Sequence, residues 1–308
     1  MLGVLEAFAV IGAVIGVGVV VGRMGVLGEH ARVVLNRVAF HIGMPALLLV
    51  NLASATLRDV FSPLLLVSAV ATLAVFAVSF AIAVLGRGRD RGDGVIASLT
   101  ASYVNSGNLG IPLSAYAFGN VTDISAVAVF QVAIVTPLAI VLLNSATVPR
   151  QSIGRQAVAL LVNPIIVASA IGLGLACAEL EIPTPIFDTL RMLGDLAIPA
   201  VLIAFGISLS QEAMLRVSAE RTDVAIAVML KLVLMPLTAY GFGRWLIELD
   251  GHSLLVATVL AALPSAQNIS TYATVYRRAE GLARDATLIS TLLSIPIIVG
   301  VVLLLGSS

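Results

Sequence analysis

The chain has 308 residues, of which 59% are hydrophobic and 11% charged, and its formal net charge is zero. With a mean hydropathy of +1.09, this composition excludes a soluble globular domain of such length and indicates a polytopic membrane protein. No basic patch indicates a nucleic-acid partner, and the single cysteine, Cys177, excludes an intrachain disulfide and a cysteine-based metal or redox motif.

Apolar runs of about 20 residues, cut at charged and Pro/Gly clusters, predict an all-α protein with ten transmembrane helices. The first run, residues 2–21, has no basic segment before it and is long enough to span, so it is interpreted as a helix rather than a cleaved signal peptide. The predicted spans are 3–22, 31–52, 63–85, 94–119, 123–145, 157–177, 186–209, 223–244, 253–276 and 284–305.

The loops between the predicted spans alternate in their content of basic residues. Loops after the odd-numbered spans hold thirteen arginines, whereas the opposite loops hold only Arg58, Arg191 and Arg244. The positive-inside rule therefore predicts that the arginine-rich loops lie in the cytoplasm. It follows that both termini lie on the outer face of the cytoplasmic (inner) membrane.

The two halves of the chain match each other at nearly constant offsets, which predicts an internal repeat. The matched pairs are Pro45 and Pro199, 154 residues apart, Asn108 and Asn268, 160 apart, and Pro137 and Pro296, 159 apart. Because each unit has five spans, an odd number, the second unit must insert upside down relative to the first. The prediction is two inverted five-helix repeats, 1–145 and 157–308, joined by a cytoplasmic linker, 146–156.

Polar, helix-breaking residues interrupt the fourth predicted span. Gly107, Gly110 and Pro112 lower helical stability, while Asn105 and Asn108 bring amide groups that donate and accept hydrogen bonds. Hydrocarbon tolerates free backbone groups only where protein or water satisfies them, so a break here predicts a ligand site near the bilayer midplane. The alternative is that these residues only kink the helix and bind neighbouring helices.

A second interruption lies at the corresponding place in the ninth predicted span. Pro264 breaks this span, Gln267 and Asn268 follow the break, and Thr271 lies one turn further on. Exposed helix N-termini and amide donors suit a carboxylate. The predicted substrate ligands are therefore Asn105, Asn108, Gln131 of the fifth span, Gln267, Asn268 and Thr271.

Three ionisable residues inside spans are candidates for proton or charge coupling, because such residues are functional candidates by default. His41 and Asp195 each precede a matched proline, Pro45 or Pro199, by four residues, and Lys231 lies inside the eighth span. Snorkelling or packing at the membrane interface is the alternative explanation for all three.

Several strings of the chain resemble the auxin efflux carrier family, whose bacterial members are commonly labelled malonate or malate permeases. The strings are "NSGNLGIPL" in the fourth span, "LGDLAIPAVLIAFGISLS" in the seventh, "LPSAQNISTYATVY" in the ninth and "STLLSIPI" in the tenth. Plant members have a similar Asn seven residues before the Pro of the fourth span, which is the position of Asn105. The ninth span departs from the plant pattern, since it has "PSAQN" where plant carriers have a Gly-rich string, so an indole substrate is not assumed.

This resemblance implies an NhaA-like and bile-acid-transporter-like fold in which the broken fourth and ninth helices cross. Spans 3–5 and 8–10 would form a transport domain, and spans 1, 2, 6 and 7 a scaffold through which two copies form a homodimer. The resemblance also implies elevator-like alternating access, with Asn105, Gln131, Gln267 and Asn268 near the substrate.

The leading functional hypothesis is a secondary active transporter of small organic anions, without a cofactor or bound metal and with proton or sodium coupling left open. The alternative is a sodium-coupled symporter of the bile-acid type, which requires several carboxylate or hydroxyl ligands around the crossing. Asp195 is the only acidic residue clearly within the apolar body of a span, which weighs against that alternative. An intramembrane enzyme is not indicated, because the three histidines are scattered and no HExxH or GxSxG arrangement occurs.

Overall fold

The computed structural model describes residues 2–28, 30–55, 62–147, 162–211 and 221–306, and within these ranges the chain is all-helical. The described helices, in chain order, are α1 (Leu2–Met24), α2 (Ala31–Ala53), α3 (Pro63–Gly86), α4 (Arg91–Ser102), α5 (106–118), α6 (122–147), α7 (Pro164–Cys177), α8 (184–211), α9 (Arg221–Trp245), α10 (Gly251–Ala261), α11 (Asn268–Tyr276) and α12 (Glu280–Leu305).

Six of the described helices are long and apolar enough to cross a membrane, namely α2, α3, α6, α8, α9 and α12. Shorter apolar helices lie within α1, α7 and α10. The prediction of an all-α, multi-pass membrane protein is therefore confirmed. Residues 157–161 of the predicted sixth span and residues 148–156 of the predicted linker lie outside the described residues.

The fourth and ninth predicted spans are each divided into two helices. Residues 103–105 separate α4 from α5, and residues 262–267 separate α10 from α11; these segments are called the first and the second interruption below. Pro264 lies in the second interruption, as expected. Gly107, Gly110 and Pro112 instead lie within α5, just after the first interruption, because Asn105 caps that helix: its Oδ1 accepts a hydrogen bond from the Asn108 N–H at 3.1 Å.

Helices α1, α2, α7 and α8 pack together, and their contacts join the two halves of the chain. Helix α1 packs along α8, while α7 packs along α2. At the α1–α8 crossing, a Cβ at Gly18 or Gly206 would overlap a backbone carbonyl oxygen of the opposite helix. Glycine at both positions therefore permits the close approach of these helices.

Ion pairs hold the arginine-rich ends of α3, α4, α9 and α12 together. Asp223, a buried residue of α9, accepts a hydrogen bond from Arg87 Nε at 2.8 Å and forms a second ion pair with Arg89. Arg278, before α12, pairs with Asp90, before α4. These pairs tie the loop between α3 and α4 to both α9 and the loop between α11 and α12.

Candidate functional site

The two interruptions lie side by side and pair with each other as short antiparallel extended segments. Val104 and Ser265 form an isolated antiparallel bridge. The Asn105 N–H donates to the Pro264 carbonyl at 2.8 Å, and the Ala266 N–H donates to the Tyr103 carbonyl at 3.2 Å. Each interruption thus satisfies backbone groups that the other leaves free, as a membrane interior requires.

Gln131 pairs with both backbone groups of Val104, whose carbonyl also accepts from the Ser106 N–H at 2.8 Å. Its side chain is fully buried, and we assign its amide so that the oxygen faces the Val104 N–H and the nitrogen faces oxygens, because only this assignment satisfies both ends of the amide. The oxygen then accepts from the Val104 N–H at 2.7 Å, while the nitrogen donates to the Val104 carbonyl and to Ser106 Oγ, each at 3.2 Å. Gln131 therefore pairs with Val104 as a neighbouring peptide group would, and it does not line the cavity described below.

Side chains also cap the helices that end at the interruptions. The Ser265 hydroxyl donates to the Thr100 carbonyl near the end of α4, at 2.5 Å, and the Ser265 N–H donates to Ser290 Oγ at 3.2 Å. Lys231 has no exposed surface, and its Nζ donates to the Ala261 carbonyl, at the end of α10, at 2.9 Å. The bonds to Thr100 and Ala261 satisfy carbonyl groups that have no partner within their own helices.

A cavity of about 890 Å³ lies against the paired interruptions. It extends along α2, α8 and α12 to the helix ends that bear Arg32, Arg37 and Arg284. The predicted site residues that line it are Asn105, Gly107, Asn108, Gln267, Asn268, Thr271 and His41. The structure thus brings five of the six predicted substrate ligands to one cavity, and Gln131 is the exception.

Amide side chains of the two interruptions and of α5 lie together at the end of this cavity that is beside the interruptions. Asn108 Nδ2 donates to Gln267 Oε1 at 3.4 Å, which links α5 to the second interruption. Asn105 is buried, and its Nδ2 has no hydrogen-bond partner among the described residues. Helices α5 and α11 both begin here, and the positive ends of their dipoles favour a negatively charged ligand.

The coupling candidates lie in three different environments. His41 lines the cavity, and its Nδ1 is 3.0 Å from the Arg37 carbonyl. Asp195 is exposed at the end of the first part of α8 and does not line the cavity, and Lys231 is buried behind the second interruption. Of the three, only His41 has direct access to this cavity.

Gly110, Pro112 and Pro264 shape the site from outside the cavity. A Cβ at Gly110 would lie 2.8 Å from Ile124 Cδ1 and 3.0 Å from Leu263 Cδ1, so glycine allows α5 to approach the second interruption closely. Gly107 differs, because a Cβ there would meet no atom within 4 Å. Its small size is therefore not required by packing and leaves room at the cavity wall.

Sequence reasoning missed Thr287, which lies on α12 and lines the cavity. Its hydroxyl is buried and has no hydrogen-bond partner among the described residues. A threonine in a predicted span carries little signal, since its hydroxyl ordinarily bonds the carbonyl of the preceding turn. The only signal in the sequence was the closeness of Thr287 to the string "STLLSIPI", which begins three residues later at Ser290 and carries the family resemblance.

Comparison with known proteins places the chain among membrane transporters. Residues 4–302 match a family described as membrane transport protein. A protein of Rhizobium meliloti named putative malonate transporter is 25% identical over 280 residues, covering 89% of this chain and 87% of that relative. An uncharacterized transporter of Methanothermobacter thermautotrophicus is 28% identical over 284 residues, covering 90% of each chain.

Proposed function

Because the chain belongs to the auxin efflux carrier family of membrane transport proteins, we propose that it is a secondary active transporter of small organic anions, with a carboxylate group bound between the two interruptions. The chain is a multi-pass membrane transporter and not an enzyme. The relative named putative malonate transporter supports an organic anion as the substrate class.

The observation that carries this proposal is the unpaired amide of Asn105. A buried donor without a partner costs about 1–3 kcal/mol, so its place beside a cavity favours a ligand that brings an acceptor. Asn105 Oδ1 is already occupied by the Asn108 N–H, which leaves Nδ2 for the ligand. A carboxylate oxygen is the acceptor that this donor, beside two helix N-termini, binds most strongly.

Charges along the cavity support the same substrate class. Arg32 and Arg37 line the entrance of the cavity together with Arg284, which pairs with Asp285, and amides line the end beside the interruptions. Positive charge at the entrance of a cleft raises the local concentration of anions. By the positive-inside rule the entrance faces the cytoplasm, so we assign this conformation to an inward-open state.

For the architecture, the proposal is two inverted repeats, 1–145 and 157–308, with both termini on the outer face of the cytoplasmic membrane. In this arrangement α1, α2, α7 and α8 form the scaffold of a homodimer, and the remaining helices move as a transport domain in an elevator-type mechanism. The α1–α8 and α7–α2 contacts support the pairing of repeats, because each joins the first half of the chain to the second. Ion pairs of Asp223 and Arg278 support a transport domain that moves as one body.

The experiment is uptake of radiolabelled malonate into proteoliposomes that contain the purified wild type, Asn105→Asp or Asn105→Ala. Aspartate retains the acceptor that caps α5 but replaces the amide donor with a negative charge. We expect Asn105→Asp to lower uptake by about 10- to 100-fold, since hydrogen bonds to charged groups contribute about 1.5–3 kcal/mol. Varying pH and sodium in the same assay tests proton coupling and the sodium-coupled alternative.

Asn51→Ala is the matched control, because Asn51 bonds the Leu47 carbonyl within α2 and does not line the cavity. It should transport at the wild-type rate. Wild-type uptake by Asn105→Asp at equal reconstituted amounts would contradict the site assignment. Equal transport of malonate and neutral malonamide would contradict the anion assignment.

A further inference from the structure

We propose that Tyr103 is a positioning residue for substrate binding, because its hydroxyl holds the amide of Asn268 so that the nitrogen, and not the oxygen, faces the cavity. This inference rests on the proposed function, since it explains how one predicted ligand of the same site presents a donor to an anion. The contacts that carry it join four side chains beside the interruptions.

Three hydroxyl groups and one amide form a hydrogen-bonded cluster beside the interruptions. They belong to Tyr103 in the first interruption, Thr136 on α6, and Asn268 and Tyr272 on α11. The Thr136 hydroxyl donates to the Tyr103 hydroxyl oxygen at 3.2 Å. Thr136 also bonds Tyr272, and the Asn268 side chain bonds both tyrosine hydroxyls. The cluster therefore joins the first interruption, α6 and α11 around the side chain of Asn268.

The number of protons in this cluster fixes the direction of its hydrogen bonds. A hydroxyl group has one proton to donate, and Thr136 gives its proton to Tyr103. The Tyr103 hydroxyl then donates to its other partner, Asn268, and the Tyr272 hydroxyl donates to Thr136 or to Asn268. Asn268 accepts through Oδ1, because turning its nitrogen toward Tyr103 would leave the proton of this buried hydroxyl without an acceptor among these partners.

The orientation of this amide decides what Asn268 offers to a ligand. Asn268 is exposed where it lines the cavity, whereas Tyr103 lines the same wall but is only 3% exposed. With Oδ1 turned toward the tyrosines, Nδ2 is left for the cavity, where a carboxylate oxygen can accept from it. Asn105 offers the same kind of donor from the first interruption. Tyr103 thus acts on the ligand through Asn268, and a phenylalanine in its place would leave the amide without a preferred orientation.

The experiment is a double-mutant cycle of Tyr103→Phe and Asn268→Ala in the purified full-length protein. Malonate affinity is measured by calorimetry, and KM and kcat are measured from malonate uptake into proteoliposomes. We expect Tyr103→Phe to weaken malonate binding about ten-fold and to raise KM by the same factor, because Asn268 Oδ1 has no donor when Nδ2 binds the ligand. The kcat should stay within about two-fold of the wild type. Asn268→Ala should weaken binding at least as much, and adding Tyr103→Phe to it should change the affinity less than about two-fold.

Two control variants separate positioning from a general effect on structure. Tyr240→Phe removes a tyrosine hydroxyl on α9 that does not line the cavity, and its affinity should equal that of the wild type. Thr136→Val removes the same buried bond to Tyr103 but leaves the Tyr103 proton for Asn268, so its affinity should stay within about two-fold of the wild type.

Several outcomes would overturn the inference and leave the proposed function standing. They are an unchanged malonate affinity in Tyr103→Phe or in Asn268→Ala, a fall in kcat at unchanged KM, and a ten-fold loss in Thr136→Val. A further ten-fold loss when Tyr103→Phe is added to Asn268→Ala would also overturn it, because the tyrosine hydroxyl would then act on the substrate directly. A wild type that does not bind malonate would overturn the proposed function together with this inference.

Discussion

Each of the two interruptions leaves backbone groups without partners in a helix, and different side chains satisfy these groups in the two cases. The first, residues 103–105, is held by neutral groups: the Gln131 amide pairs with Val104, and the Ser265 hydroxyl caps α4. The second, residues 262–267, follows a helix whose last carbonyl accepts a hydrogen bond from the side-chain nitrogen of Lys231. Side chains of different type, a hydroxyl and an amine, therefore cap the helices that end at the two interruptions.

This difference bears on which element holds each helix end in place. Ser265, in the second interruption, caps α4 at the first interruption, whereas Lys231 reaches the end of α10 from α9. The cap of α10 therefore depends on a fully buried side chain from outside both interruptions.

Replacing Lys231 with methionine should have the largest effect on transport. Methionine is apolar and of similar length, so the Ala261 carbonyl at the end of α10 loses its donor. We expect malonate uptake by proteoliposomes to fall about 100-fold, in line with up to about 3 kcal/mol for a buried carbonyl left unpaired. Thermal unfolding should change little, because the cost of burying the polar end of Lys231 is removed together with its hydrogen bond.

Met235→Leu is the matched control for this variant. Met235 Sδ lies 3.0 Å from Lys231 Nζ, and leucine removes that contact while the bond to Ala261 remains. Uptake by Met235→Leu should stay within about two-fold of the wild type, since Leu and Met exchange at small cost in cores. Normal uptake by Lys231→Met would mean that the two interruptions do not differ in function.

Replacing Gln131 with glutamate tests the first interruption. A charged carboxylate can accept from the Val104 N–H but cannot donate to the Val104 carbonyl, whereas a protonated carboxyl group does both. At neutral pH we expect malonate uptake about ten-fold below the wild type, because a buried, charged carboxylate oxygen then lies against the Val104 carbonyl oxygen without a proton between them. Relative to the wild type, uptake by Gln131→Glu should rise as the pH falls.

Gln131→Ala provides the comparison for that pH dependence. Alanine has neither donor nor acceptor at any pH, so its uptake relative to the wild type should stay low throughout. If malonate uptake by Gln131→Glu does not rise relative to the wild type at low pH, the Gln131 amide does not act by pairing with Val104. A selective loss for particular substrates in Gln131→Ala would instead point to direct contact with the ligand.

The approximate positions of the interruptions could be predicted from sequence because Asn, Gly and Pro destabilise the interior of a membrane helix. The residues that hold the interruptions in place could not be assigned in the same way. Gln131 was expected beside the substrate because amides suit carboxylates, but an amide pairs equally well with a peptide group. Which partner it takes depends on the distance between α6 and the first interruption, and no local pattern encodes that distance.

The break in the fourth span shows a similar limit. Gly107, Gly110 and Pro112 mark a place of low helical stability, yet the chain leaves the helix upstream of all three, at residues 103–105. Pairing with the second interruption decides this, since Asn105 bonds Pro264 through its backbone and caps α5 through its side chain. Propensity thus located the region, while long-range pairing set the residue at which the helix ends.

The smallest expected effect comes from replacing Ser265 with alanine. The Ser265 hydroxyl donates to the Thr100 carbonyl, but its backbone bonds, including the N–H to Ser290 Oγ, persist in the variant. Loss of one neutral hydrogen bond costs about 1 kcal/mol, so we expect a small fall in the melting temperature and roughly a five-fold fall in malonate uptake. If Ser265→Ala reduced uptake as strongly as Lys231→Met, the two caps would contribute equally, and the caps of α4 and α10 would not differ in function.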